Sequence, residues 1–201
     1  MYLFLDTETT GLPKNWSALI SDLNNWPRLV QIAWLQCDTS GKEMTKQCFI
    51  IKPENFEIPL NAVKVHGISN ERANKFGVSL KKALSEFSVI LRNSSLLVAH
   101  KMNFDEKVVG AELIRAKINN NLSSITKICT MHVTTDFCKI PGPYGYKWPT
   151  LMELHKKLFN VSFDDSHDAL SDVAACAKCF FELKKRKIIK LLLPNLIPKN
   201  L

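Results

Sequence analysis

The sequence predicts one α/β domain built on a mixed sheet, and three observations lead there. The chain begins with an apolar run, Met1-Tyr2-Leu3-Phe4-Leu5, that stops abruptly in Asp6-Thr7-Glu8. The stretches Arg28 to Cys37 and Lys46 to Lys52 flank the turn residues Asp38-Thr39-Ser40-Gly41 and read as a hairpin. Beyond the hairpin, helix and strand signals alternate, with no internal repeat and no linker. At 201 residues, 46% hydrophobic and 23% charged, the chain has the make-up of an ordinary soluble globule with a substantial core.

In order, the first strand ends at its two carboxylates and runs into Thr9-Thr10-Gly11. Pro13 to Pro27, polar and carrying tryptophans, reads as a surface excursion before the hairpin. Irregular chain marked by Pro53 and Pro59 leads to Val65-His66-Gly67-Ile68-Ser69, where Ser69 caps a short helix ending before Gly77. Ser79 opens a second helix, with Leu80, Ala83, Leu84 and Phe87 at helical spacing. Ser95 to Ala99 is a short buried strand. Asn103 is the expected cap of a helix through about Lys117, with Val108, Val109 and Leu113 facing inward. Ile125 to Thr130 supplies the fifth strand, and a helix starts from Met131. Thr150 caps a helix to Phe159, and Asp168 starts a long one to about Lys187. The expected domain is residues 1–187, with 188–201 as a short tail.

The formal charge is +8 and the sequence pI about 9.2, which suits a polyanionic partner but is weak grounds alone. The six cysteines are scattered through apolar segments, and Cys176-x-x-Cys179 lies mid-helix with no second pair to complete a zinc set. They read as reduced core residues of an intracellular, cytoplasmic protein. Neither a signal peptide nor an apolar run of the ~20 residues a membrane span needs is apparent.

Asp6 and Glu8, two apart on a strand, project to one face. Two like charges so close repel by about 4 kcal/mol at an effective dielectric near 20, so a cation between them is one reading. A strand running out into a solvated acidic turn is the other. The strand at 95–99 should lie parallel to the first, since a helical crossover separates them, and Asp105 sits just past its end. On the last helix Asp172 shares a stripe with Ala175, Cys176, Cys179 and Leu183, so it points toward packed structure and needs compensation. His167, just outside that helix, has a side chain suited to accepting a proton near neutrality. Each of these has an ordinary structural reading; four carboxylates and a histidine at the mouth of one sheet do not.

Asp6-x-Glu8, Asp105 and His167-x-x-x-x-Asp172 resemble the signature of the DEDDh exonucleases, the DnaQ-like family with an RNase H-like fold. The resemblance runs from residue 1 to about 185, in order. It takes in Asp6 to Leu12, Val65-His66-Gly67-Ile68, Ala99-His100 to Phe104-Asp105, and Ser166 to Asp172. It implies an RNase H-like mixed sheet of five strands, with the hairpin at one side and helices around it. It also implies two Mg²⁺ or Mn²⁺ ions, about 3.5–4 Å apart, beside a scissile phosphate. Asp6 would bridge both ions, Glu8 and Asp172 would complete the one that activates water, and Asp105 would help hold the second. His167 would take the proton from the attacking water. The reaction implied is hydrolysis at a 3′ end, most simply of a single strand, releasing nucleoside monophosphates. Thr7, Thr9 and Leu12 would hold or wedge the terminal nucleotide, with His66 and Phe104 lining its pocket and His167 beside it. Family members often carry Asn where this chain has Lys101, which reads here as solvated.

The loop Tyr144-Gly145-Tyr146-Lys147-Trp148 has the composition of a base-stacking platform, although Trp148 reads better as packed on the helix after Pro149. The charge run Lys184 to Lys187 reads as a solvated face. Three functions are thus in play. The first is a DNA exonuclease of repair or proofreading type, with a polymerase or repair partner. The others are an exoribonuclease or oligoribonuclease, and a catalytically weak nucleic-acid-binding or polymerase-docking module.

Overall fold

The computed structural model describes residues 1–163 and 168–189. Five strands form the main sheet: β1 (Tyr2–Thr9), β2 (Leu29–Cys37), β3 (Glu43–Ile50), β4 (Leu96–Ala99) and β5 (Thr126–Cys129), in the order β3-β2-β1-β4-β5. β2 pairs antiparallel with both β1 and β3, and β4 is parallel to β1 and β5. The expected hairpin and the expected parallel crossover are therefore both present. α1 (Leu60–His66), α2 (Asn70–Phe76) and α3 (Leu80–Arg92) occupy the crossover between β3 and β4, and α4 (Met102–Arg115) that between β4 and β5. Two short helices, α5 (Thr130–Val133) and α6 (Thr135–Cys138), stand where one from Met131 is expected. A break at Thr134, whose φ is −110°, separates them. The small hairpin β6 (Pro141–Gly142) and β7 (Gly145–Tyr146) precedes α7 (Leu151–Phe159) and α8 (Ala169–Lys185).

Strand alternation divides the core into two layers. Leu3 and Leu5 of β1 meet Leu84 and Phe87 of α3 and Val108 and Val109 of α4 on one side. Tyr2 and Phe4 meet Val173, Cys176 and Phe180 of α8 on the other. Ile188 and Ile189 also pack into this second layer. Ser69, Ser79 and Thr150 cap as expected, Thr150 in a reciprocal capping box with Glu153. Asn103 does not cap: the cap position falls two residues earlier, at Lys101, and the amides of Phe104 and Asp105 bond to the Lys101 carbonyl instead. All six cysteines are free thiols. Among the described residues no helix is long and apolar enough to cross a membrane.

The Pro13–Pro27 excursion is a built arm clasped to α4. Lys107 donates to the Trp16 carbonyl at 2.9 Å, and Arg115 donates to the carbonyls of Leu23 and Trp26. Gly110 leaves room for Ile20, since a Cβ there would lie 2.9 Å from the Ile20 side chain. Behind the arm, Glu112 is wholly buried and its Oε1 takes Arg28 Nε at 2.8 Å, Arg115 at 3.0 Å and the Leu29 amide at 3.0 Å.

Candidate active site

The pairing of β1 with β4 ends at Phe4, opposite Val98, so the rest of β1 runs past it toward the open end of the sheet. Asp6 and Glu8 lie on this overhang, on the face that Tyr2 and Phe4 use to pack against α8. Phe180 fixes the distance between helix and strand, its ring centroid 5.7 Å from Tyr2 and 5.4 Å from Phe4. α8 thereby delivers Asp172 from its first turn. One carboxylate oxygen from each of Asp6, Glu8 and Asp172 lies within 4.8 Å of the other two.

Asp105 comes from the other layer. It is buried in the first turn of α4 and accepts the Thr7 hydroxyl at 2.7 Å. Thr7 alternates with Asp6 along β1, so one strand supplies two carboxylates on one face and the holder of a third group on the other.

Burial is the largest influence on these groups. It holds the Asp6 carboxyl well above its ordinary range, and Asp105, Asp172, Glu8 and Asp168 add to it. Glu8 is pushed up to about 8 by burial, then by Asp172, Asp105 and Asp168. Asp105 rises to about 7 through burial, although the Thr7 hydroxyl and the Lys101 charge oppose this. These carboxylates raise one another's hold on protons, and an all-oxygen donor set suits hard divalent cations. The residues present therefore fit a metal site.

Cation binding has to expel those protons. Mn²⁺ affinity is accordingly expected to climb from pH 6 to pH 8.5, with protons released to the buffer. Titration calorimetry in two buffers of different ionisation heat checks this, and an affinity that stays level across the range would contradict it.

Gln31 is a site residue that sequence reasoning missed. It stands opposite Glu8 on β2, is buried, and accepts the Ala169 amide at 3.3 Å while reaching Asp168 at 3.4 Å. This fastens the start of α8 to the sheet. The signal was a lone amide inside the apolar run Leu29-Val30-Gln31-Ile32-Ala33-Trp34.

Candidate substrate contacts fall on both sides of β1. Beyond β2, His66 is 7% exposed, accepts the Ile68 amide on Nδ1 at 3.1 Å, and has no hydrogen-bond partner on Nε2 among the described residues. Burial pushes its pKa down, and the Thr9 backbone partly opposes that. With Gln31, Arg72 and Asp168 it lines a cavity of about 420 Å³. On the β4 side, Phe104 is buried under Trp16, ring centroids 5.8 Å apart. Thr9 closes a turn by donating to the Gly11 carbonyl at 2.7 Å, and Leu12, just beyond, is 67% exposed. His167 lies outside the described residues.

Two side chains differ from expectation. Lys101 is exposed but not simply solvated: its Nζ stands 5.0 Å from the Trp16 ring centre and 5.3 Å from that of Phe104. Trp148 is 61% exposed rather than packed on α7, and its ring meets His132 at 5.0 Å. Lys147 and Pro149 explain this. Lys147 pairs with Glu153 at 2.6 Å, and the Pro149 carbonyl lies 2.9 Å from His100 Nε2, so the backbone either side of Trp148 is held and the ring turns outward.

A mixed sheet of this order, flanked by helices, is an RNase H-like fold, and acidic residues gather at the end of its first strand. The chain belongs to the exonuclease family, whose sequence model matches residues 3–180. Membership implies dependence on divalent metal ions. Escherichia coli exonuclease I in complex with a dT13 oligonucleotide superposes with a TM-score of 0.74 at 18% identity, over 92% of this chain and 41% of that one. The zinc-bound form of the same enzyme's complex with single-stranded DNA gives 0.71 at 19% identity, over 92% and 40%. A product-bound exonuclease I gives 0.73 at 16% identity, over 93% and 44%. The chain thus spans about two fifths of these neighbours, and the likeness is one of fold. No curated protein sequence matches it significantly.

Proposed function

We propose that this chain is a 3′→5′ exonuclease of the DEDDh type that removes nucleoside monophosphates from single-stranded DNA. The observation that carries the reading is the convergence of Asp6, Glu8 and Asp172 oxygens within 4.8 Å of one another. Exonuclease family membership supports the reaction, the single-stranded DNA in the exonuclease I complexes supports the substrate, and the net charge of +8 suits a polyanion.

Asp6, Glu8, Asp172 and Asp105 would hold two divalent cations, Mg²⁺ or Mn²⁺. Such a pair, when bound, supplies positive charge to a scissile phosphate and acidifies a water. Thr7 keeps Asp105 in place, and Gln31 keeps the start of α8 against the sheet. His167, five positions before Asp172, would accept the proton of the attacking water. The exposed Leu12 would wedge the terminal nucleotide, and the unbonded His66 Nε2 would serve a substrate hydroxyl or phosphate. The catalytic domain would be residues 1–187 with 188–201 as a tail, and its setting intracellular, in repair or proofreading beside a polymerase or repair partner.

The test is Mg²⁺-dependent release of mononucleotides from matched 3′-labelled DNA and RNA strands, run beside Asp6→Asn. DNA should be digested and the variant should be inert. Preferred digestion of RNA would move the substrate to RNA, and a wild type that binds a strand but leaves it intact would reduce the protein to a binding module. His167→Ala should lower turnover by about 10²–10⁴-fold with little change in Mn²⁺ affinity; equal losses in both would remove it as the base.

A further inference from the structure

The arm of residues 13–27 is fastened more firmly than a connection between two strands needs. Asn15 and Asn25 bond reciprocally across its neck, at 2.7 and 3.0 Å. Trp26 donates its indole to the Leu19 carbonyl at 2.9 Å and lies under the Lys107 ammonium at 5.1 Å. Lys107 also holds the Trp16 carbonyl. These ties from α4 fix the backbone of Trp16 while leaving its side chain partly outside, so the residue is 41% exposed. Its ring rests on Phe104, immediately before Asp105 in α4.

Lys101 completes the group. Its ammonium is shared between the Trp16 and Phe104 rings, and among the described residues it makes no ion pair. Its carbonyl accepts the Asp105 amide at 3.3 Å, and its charge acts on the Asp105 carboxyl. A partly exposed aromatic ring beside such a cation, one helical turn from a site carboxylate, suits a base and its phosphate.

We propose that Trp16 and Lys101 form a second contact for the substrate strand, Trp16 stacking on the base before the terminal nucleotide and Lys101 contacting the adjoining phosphate. This rests on the exonuclease reading above. It adds a specificity device: the outer ring of the Trp16–Phe104 pair is engaged only by a substrate at least two nucleotides long, so longer strands bind better than a single nucleotide. The arm then serves to present Trp16, which explains why it is anchored at both feet.

Trp16→Leu retains an apolar packing partner for Phe104 and removes the stacking face. It should raise KM for a single-stranded DNA of about ten nucleotides by roughly tenfold, the range that one base–aromatic stack supplies. Its kcat should hold, and Trp16→Phe should restore most of the affinity. The p-nitrophenyl ester of thymidine 5′-monophosphate, with one nucleotide only, should be hydrolysed equally by wild type and Trp16→Leu. Lys101→Gln should lower the slope of log affinity against log salt by about 0.7, the share of a single phosphate neutralised on a single strand. That slope is read by fluorescence anisotropy of a labelled strand in Ca²⁺ and needs no turnover. If wild type cleaves neither substrate the exonuclease reading fails, yet anisotropy still decides whether Trp16 and Lys101 touch the strand. Strand binding by Trp16→Leu equal to wild type, an unchanged salt slope in Lys101→Gln, or equal impairment on the one-nucleotide ester would overturn the proposal.

Discussion

Asp6→Asn should abolish hydrolysis and, in metal-free protein, raise the melting temperature. The amide keeps the shape of the side chain and removes the charge at the centre of the cluster. The sign follows from the raised acids. Glu8 binds its proton up to about 8 in the fold against an ordinary 4.5, so the folded state holds more protons than the unfolded chain between those values. Metal-free wild type therefore loses stability as pH rises from about 4.5 to about 8, and Asp6 and Asp105, shifted the same way, deepen the loss. Removing one charge should recover about 1–2 kcal/mol at pH 8.5, or roughly 2–8 °C for a domain of this size, and much less at pH 5. Adding Mn²⁺ should reverse the ranking, because only wild type gains from the ion. Differential scanning calorimetry at the two pH values, with and without Mn²⁺, provides the measurement. A metal-free Asp6→Asn that melts below wild type at pH 8.5 would mean that this charge is already compensated within the protein.

Glu112→Ala is expected to be the most damaging single change to the fold. One buried oxygen serves Arg28, Arg115 and the Leu29 amide together, while the Glu112 side chain is only 1% exposed. Truncating it strands two guanidinium groups and a strand amide. Loss of one partner of a buried ion pair costs about 3–5 kcal/mol, most of it the penalty on the groups left behind. Urea unfolding should show a midpoint lowered accordingly with the slope kept. A variant with an unchanged midpoint would show that water or a rotated arginine replaces the carboxylate without cost.

Periodicity makes the central carboxylates legible. Asp6 and Glu8 obey the two-residue alternation of a strand, and Asp172 falls on the inward stripe of a helix, so spacing alone places each of them. The caps at Ser69, Ser79 and Thr150 are equally local. What escapes such reasoning are residues whose partners are distant in sequence. Thr7 bonds across 98 positions and Arg28 across 84, separations that no spacing rule reaches. Glu112 leaves a faint trace, since it sits among Val108, Val109 and Leu113 on the face read as inward, but nothing in the sequence names its arginines. Asn103 misleads because capping preference is a tendency, and here the Lys101 carbonyl meets the first amides of α4. Trp148 misleads because an apolar ring need not be a buried one, and the polar ties on either side of it turn this one outward.

β1 outruns β4, and from Leu5 to Thr9 it has a sheet partner on the β2 side only. Along this open berth the wall is extended backbone rather than a loop, with a single register shift between Glu8 and Thr9, and Asp105 of α4 reaches it at Thr7. Whatever occupies that berth meets a polypeptide whose path is already set by hydrogen bonding to its neighbour. Adjustment on arrival is left to torsions at the ends of carboxylate side chains and to departing protons.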